Sequence, residues 1–236
     1  MNHFQSNVTW VLLRSFMEIT YLGHSTFKLR GKNGTVVTDP YSNKIGLTLP
    51  SVSADVVTVS HGHPDHNAIG AVKGTTRRPE PFVVSFPGEY EVGGISVFGT
   101  PTYHDNKQGA ERGENTVFRI VIDEVKVCHL GDLGHELTNE QLEEIGEVDV
   151  LMVPVGGTYT IDAKTAVAVI QQIEPLYVIP MHYRTEAHKG ETYEKLATLD
   201  AFLKEYGTTP TPVAKLNVEK GKLPEETELV VLETVK

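Results

Sequence analysis

Residues 55–66, DVVTVSHGHPDH, run from an apolar, β-branched segment straight into three histidines and an aspartate within six positions. Valine and threonine suit a pleated, half-buried surface, so DVVTV predicts a strand. The polar residues after it fall where a strand ends and a loop can turn side chains toward a cleft. Residues two apart on an extended segment face the same side, which lets His61 and His63 point at one centre. Pro64 disfavours a helix through His63, and the turn that follows can carry Asp65 and His66 toward a neighbouring centre. Imidazole and carboxylate together suit zinc, manganese or iron, whereas calcium sites are built from oxygens alone. One segment could therefore serve two metal ions, and the rest of the chain must bring further ligands to the end of this strand.

Ten segments carry strand character: EITYL, TFKLR, TVVTD, DVVTVS, FVVSF, GISVFGTPTYH, TVFRIVI, VKVCHL, DVLMVPV and LYVIP. GKNG at 31–34 and VGG at 92–94 suit hairpin turns, with Asp123-Glu124 a tighter one, so the early pairing should be antiparallel. Helices come late. TNEQLEEIG opens with Thr138 three residues before Gln141, a capping-box pattern, and stops at Gly146. DAKTAVAVIQQIEP can be capped by Asp162 and must end before Pro175. ETYEKLATLDAFLKEYG carries Leu196, Leu199, Leu203 and Tyr206 at helical spacing, with Gly207 as its stop. Strands are followed by a helix twice, once ending near residue 73 and again near 173. This suggests two layered halves with sheets inside and helices outside, a mixed α/β (α+β) class leaning to a sandwich.

Three metal-type residues stand at the ends of other apolar runs: His104 after SVFGTPTY, Asp132 after VKVCHLG and His182 after LYVIPM. Each alone reads as a loop histidine or a turn aspartate; with the 61–66 cluster they form a candidate ligand set. Composition narrows the partners. With 39% apolar and 22% charged residues the chain should bury a substantial core, and it lacks the long apolar run of a membrane span. Acidic residues outnumber basic ones, 31 to 21, with no cationic cluster to track a phosphate backbone, which argues against nucleic acid. A lone cysteine, Cys128 in VKVCHL, suits a buried residue in a reducing compartment, and nothing directs export, so the expected location is cytoplasmic.

HGHPDH with the later His104, GD at 131–132 and His182 resembles the metallo-β-lactamase superfamily, from about Met17 to the C-terminus. LGHSTF at 22–27, TDP at 38–40, VPVGGTYTID and IPMHY further resemble a small branch of metal-dependent hydrolases related to ascorbate-6-phosphate lactonase and to phospholipase D of the N-acyl-ethanolamine type. The resemblance implies a four-layer αββα sandwich with the metals at one edge of its two sheets. It implies that His61, His63 and His104 hold one divalent ion, most simply Zn2+ with Mn2+ or Fe as alternatives, that Asp65, His66 and His182 hold the second, and that Asp132 bridges them. Asp65 and Asp132 would then be catalytic residues. A metal-bridging hydroxide would attack an ester, lactone or phosphodiester bond of a small metabolite. Where some true β-lactamases carry a cysteine, this chain has Asp132, with Cys128 four residues earlier, which disfavours penicillin hydrolysis. The inserted domain and the long arm of nucleic-acid-processing relatives are not visible in the chain. A redox di-iron protein and a catalytically inactive metal-binding module on the same fold are the alternatives.

By the same resemblance, Asp39 orients the ligand loop from behind and His24 lies near the site; a purely structural role for His24 is equally open. His129 should pack within its strand, and His3, His135 and His188 should sit at the surface. The glycines of VGGTYT could let backbone amides approach an anion, and Tyr159, Tyr183, Arg184 and Lys189 could read a phosphate or carboxylate. Residues 1–16 read either as an N-terminal extension to a single domain at 17–236, or as upstream of a true start at Met17. Exposed sheet edges admit a homo-oligomer, which no sequence feature establishes.

Overall fold

The computed structural model describes residues 16–235, so the expectation for residues 1–15 lies outside the described part. The first half of the chain forms β1 (Met17–Gly23), β2 (Thr26–Arg30), β3 (Thr35–Thr38), β4 (Val52–Ser53), β5 (Val56–Thr58), β6 (Val72–Lys73), β7 (Phe82–Val84) and β8 (Gly88–Val92). The second half forms β9 (Ile95–Tyr103), β10 (Glu114–Ile122), β11 (Val125–His129), α1 (Asn139–Ile145), β12 (Val150–Pro154), α2 (Ala163–Ile173), β13 (Tyr177–Met181), α3 (Glu191–Glu194), α4 (Leu199–Tyr206), β14 (Leu216–Val218) and β15 (Glu228–Leu229). Two main sheets result, one of six strands in the order β14-β1-β2-β3-β5-β7 and one of seven in the order β15-β13-β12-β11-β10-β9-β8. All ten strands expected from the sequence are present. The five others are short or polar; β8, GEYEV, is an edge strand that leaves most of its side chains in solvent.

Each sheet is antiparallel in one half and parallel in the other. Following the pairings, β1, β3 and β5 run in one direction in the first sheet, as do β9, β11 and β13 in the second. The main core lies between the sheets and continues under α2 and α4. On β3 and β5 both faces are buried: Val36 and Val56 enter the main core, while Val37 and Val57 enter a second cluster with Val52, Ala54 and Val72. Burial on both faces explains why these strands read as unbroken apolar runs instead of alternating.

The hairpin turns expected at 92–94 and 123–124 form. Gly93 and Gly94 take φ of 61° and 89°, and Asp123 and Glu124 take 51° and 69°, positive at both turn positions as a two-residue hairpin of the primed type requires. The Thr138 capping box and the Asp162 cap also form.

Two helix expectations need correction. The layer outside the first sheet, where a helix ending near residue 73 was expected, consists of the β4–β6 ribbon and single 3₁₀ turns at Asn43–Ile45 and Ile69–Ala71. The Ala54 amide donates to the Lys73 carbonyl, so residues after Gly70 are drawn into sheet pairing before a helix could extend. The single helix expected across 191–206 is two, because the Ala197 amide donates to the Gly156 carbonyl and its carbonyl accepts from the Arg184 amide. Tertiary backbone pairing there replaces the i to i−4 ladder.

Candidate metal centre

Six strand ends deliver the site. His24 turns out of β1, Asp39 follows β3 and His61–His66 follow β5; His104, Asp132 and His182 follow β9, β11 and β13. The two sheets are joined here: the His182 amide donates to the His24 carbonyl at 2.9 Å, and His129 Nε2 bonds the Ser25 carbonyl at 2.8 Å. His129 is thus packed within its strand as expected, its Nδ1 accepting from the Gly131 amide. His24, Asp39 and His182 hold φ of 54°, 37° and 55°, a region costly for residues with a Cβ and often tolerated where function demands it.

The candidate ligand atoms gather in two main groups, with Asp39, His61 and His66 making a third that overlaps both. His61, His63 and His104 form one; His66, Asp65 and His182 form the other together with His24, which lies among these residues instead of beside them. Asp132 sits between the groups. Its Oδ2 lies 3.8 Å from His61 Nε2 and 3.3 Å from His104 Nε2 on one side, and 3.4 Å from His66 Nε2 and 3.2 Å from His182 Nε2 on the other. Burial would raise the Asp132 carboxyl, but His182 and His66 hold it well below the usual carboxylate range. Burial pushes His61 and His24 down to about 3, keeping both imidazoles neutral near pH 7. The fit to a cation follows from what these groups lack: His24 Nδ1 and Nε2, His61 Nε2, His66 Nε2 and Asp132 Oδ1 are buried without a hydrogen-bond partner. Orphaned buried polar atoms are costly, and His24, His61 and His66 belong to the clustered donors.

Behind the ligands, Asp39 is fully buried. Its Oδ1 accepts from the Ser60 amide at 2.8 Å, and its Oδ2 accepts from Ser60 Oγ and from His66 Nδ1 at 2.9 Å. With its proton given to Asp39, Ser60 Oγ accepts in turn from His61 Nδ1 at 2.9 Å. One carboxylate therefore fixes the tautomer of a histidine in each group and turns both Nε2 atoms toward Asp132.

The centre opens into a cleft of about 300 Å³ lined by Arg112, Tyr159, Thr192 and Tyr193 beside the ligands. Of the residues expected to contact a substrate, Tyr159 is in place. Tyr183 is buried against Tyr21 at a ring distance of 6.3 Å. Arg184 is exposed and donates to the Glu194 carbonyl, and Lys189 is exposed on the loop that donates its amide to the Ile45 carbonyl. Neither basic side chain lines the cleft. His188 is half-buried instead of at the surface, stacked on Tyr193 and edge-on to His24. Tyr193, which sequence reasoning missed, donates to Asp65 Oδ2 at 3.2 Å.

Gly156 in VGGTYT serves packing, because a Cβ there would come within 2.0 Å of the His182 carbonyl oxygen. Gly156→Ala is expected to destabilise the protein by about 1–3 kcal/mol, read as a lower thermal midpoint. Gly62→Ala, where a Cβ meets nothing within 4 Å, should stay within about 1 kcal/mol of wild type.

Two mixed sheets meeting at an edge that carries a His/Asp cluster define a candidate metal-binding protein. Residues 18–182 match the family model described as a beta-lactamase superfamily domain. A UPF0173 metal-dependent hydrolase from Carboxydothermus hydrogenoformans is 30% identical over 220 residues, covering 80% of this chain and 96% of the relative. One from Archaeoglobus fulgidus is 31% identical over 196 residues, covering 72% and 84%. A crystal structure from Thermotoga maritima, of a proposed Zn-dependent hydrolase of the metallo-β-lactamase superfamily, is 41% identical with a TM-score of 0.72, covering 92% of this chain and 98% of that one. The chain belongs to the metallo-β-lactamase superfamily, among its metal-dependent hydrolases.

Proposed function

We propose that this hydrolase is dinuclear, with His61, His63 and His104 holding one divalent cation, Asp65, His66 and His182 the other, Asp132 shared, and His24 within reach of the second. The observation that carries the reading is the Asp132 Oδ2 atom, placed 3.2–3.8 Å from an Nε2 of two histidines in each group. Zinc is the favoured ion, supported by the donor set and by the Thermotoga maritima relative; manganese and iron accept the same donors. When bound, two such ions supply Lewis acidity and an activated water for cleaving an ester, lactone or phosphodiester bond. The chain's own part is to aim the His61 and His66 imidazoles through Asp39 and Ser60, to keep Asp132 ionised, and to confine a small molecule in the cleft. A cleft of about 300 Å³ is at the small end for ligand sites, which supports a metabolite-sized substrate. A reducing, cytoplasmic location is supported by Cys128, free and buried, its thiol pushed up to about 12 by burial. Among the described residues no helix is long and apolar enough to cross a membrane.

The test is the metal content of protein purified without added metal or chelator, paired with chromogenic lactone, ester and phosphodiester substrates. About two ions per chain and turnover abolished by chelator and restored by metal are expected. Two irons without hydrolysis would point to redox chemistry, and no metal after reconstitution would sink the ligand assignment.

A further inference from the structure

Arg112 is the one lysine or arginine lining the cleft among the described residues, in a chain where acidic groups outnumber basic ones 31 to 21. Its guanidinium lies 5.8 Å above the Tyr159 ring, and one Nη donates to the Thr158 carbonyl at 3.1 Å. Among the described residues no carboxylate pairs with it. A guanidinium has five N–H donors in a fixed fork, so held by one carbonyl and one ring it keeps donors for a further acceptor.

The loop that presents Arg112 is built from within. Asp105, directly after the ligand His104, accepts four backbone amides: Lys107 and Gly109 on Oδ1 at 2.8 and 2.9 Å, Glu111 and Arg112 on Oδ2 at 2.9 and 2.8 Å. The His104 amide donates to the Gly113 carbonyl at 3.0 Å and closes the loop at its base. A metal-type ligand at one end and a cation at the other are therefore held in fixed relation by one buried aspartate.

We propose that Arg112 binds an oxyanion, phosphate or carboxylate, carried by the substrate of this site, and that Asp105 is the positioning residue that sets it there. The substrate class is then a small anionic ester, lactone or phosphodiester whose charged group lies on the Tyr159 side of the cleft while its scissile bond faces Asp132. This rests on reading the cleft as a hydrolase site, but its chemistry is separable: forked donors recognise carboxylate and phosphate in bidentate geometry, which an ammonium does not reproduce.

The experiment uses metal-loaded full chain, wild type and the variants Arg112→Ala, Arg112→Lys and Asp105→Asn, with metal content measured on each. Inorganic phosphate and acetate are titrated calorimetrically, and kcat/KM is compared for a carboxylate-bearing aryl ester and its neutral amide counterpart. Arg112→Ala should weaken binding of at least one anion by about ten-fold and lower the preference for the charged ester by a similar factor. Arg112→Lys should recover part of both. Asp105→Asn should lower the preference at unchanged metal content, which a merely structural role would not do. The better-bound anion tells phosphate from carboxylate. Wild-type anion affinity and preference in Arg112→Ala, or no anion binding by metal-loaded wild type, would overturn the proposal. Absence of chelator-sensitive turnover in metal-loaded wild type would instead count against the hydrolase reading, and the calorimetric arm still decides the role of Arg112.

Discussion

Asp132→Ala is expected to lower chelator-sensitive turnover by about 10³-fold or more and to reduce bound metal well below two ions per chain. Metal-ion catalysis supplies several kcal/mol of transition-state stabilisation, and each 1.36 kcal/mol is about tenfold in rate. Asp132 is the group both ligand clusters share: four histidine Nε2 atoms lie within 3.8 Å of its Oδ2. The fold should survive the change, because the loop is positioned by backbone contacts: the Asp132 amide donates to Asn115 Oδ1 at 2.9 Å, and Asn115 Nδ2 also donates to the Leu130 carbonyl. Circular dichroism on the variant separates loss of metal from loss of structure. Near-normal activity in a folded Asp132→Ala protein would refute the shared carboxylate.

The second large effect is expected at Asp39, behind the proposed ligands. Asp39→Ala should weaken binding at both positions by about 10–100-fold, the usual cost of removing a group that orients a ligand, and should lower the stability of the metal-free protein as well. Ser60 N–H and His66 Nδ1–H would lose their buried acceptor, and each unsatisfied group costs about 1–3 kcal/mol. With roughly 3 kcal/mol lost, the thermal midpoint should fall by about 10 °C for a chain of this size. The measurements are metal titration by calorimetry and thermal unfolding of the stripped protein. Weakening at one position only, with His61 unaffected, would disprove the relay through Ser60 Oγ.

The position of the candidate site was legible because several of the proposed ligands stand where an apolar run stops. His61, His104, Asp132 and His182 all follow buried strands, and a strand end is where a side chain can leave the core while its backbone stays anchored in a sheet. The parallel relation of β1, β3 and β5, and of β9, β11 and β13, turns that linear pattern into one edge of the molecule. What escaped has physical causes too. His188 sits in RTEAHKG, a polar loop whose one apolar residue is Ala187, yet it packs against His24 from the first sheet and Tyr193 five residues on. Arg112 lies in DNKQGAERGEN, which reads as solvated loop; only the four amides folded onto Asp105 turn it inward. Arg184 had the better local context, beside His182, but its side chain was claimed by a carbonyl of the next helix. The break between α3 and α4 was hidden for a similar reason: helical spacing persists in the sequence, while the backbone at Ala197 bonds to residues 156 and 184.

The contribution of ligands by both sheets has a consequence for how the molecule is made and kept. His24, Asp65 and His66 come from the first half of the chain, His104, Asp132 and His182 from the second, and the bond between the His182 amide and the His24 carbonyl ties the two together. Contacts this distant along the chain form late and slowly in folding, so a cation bound by the proposed ligands would meet its full set of donors only after the halves have closed. Ion binding then stabilises the closed form alone, by about 4 kcal/mol at a thousandfold excess over Kd. The supply of metal in the cell would thereby govern how long each copy escapes unfolding and proteolysis, independently of any substrate.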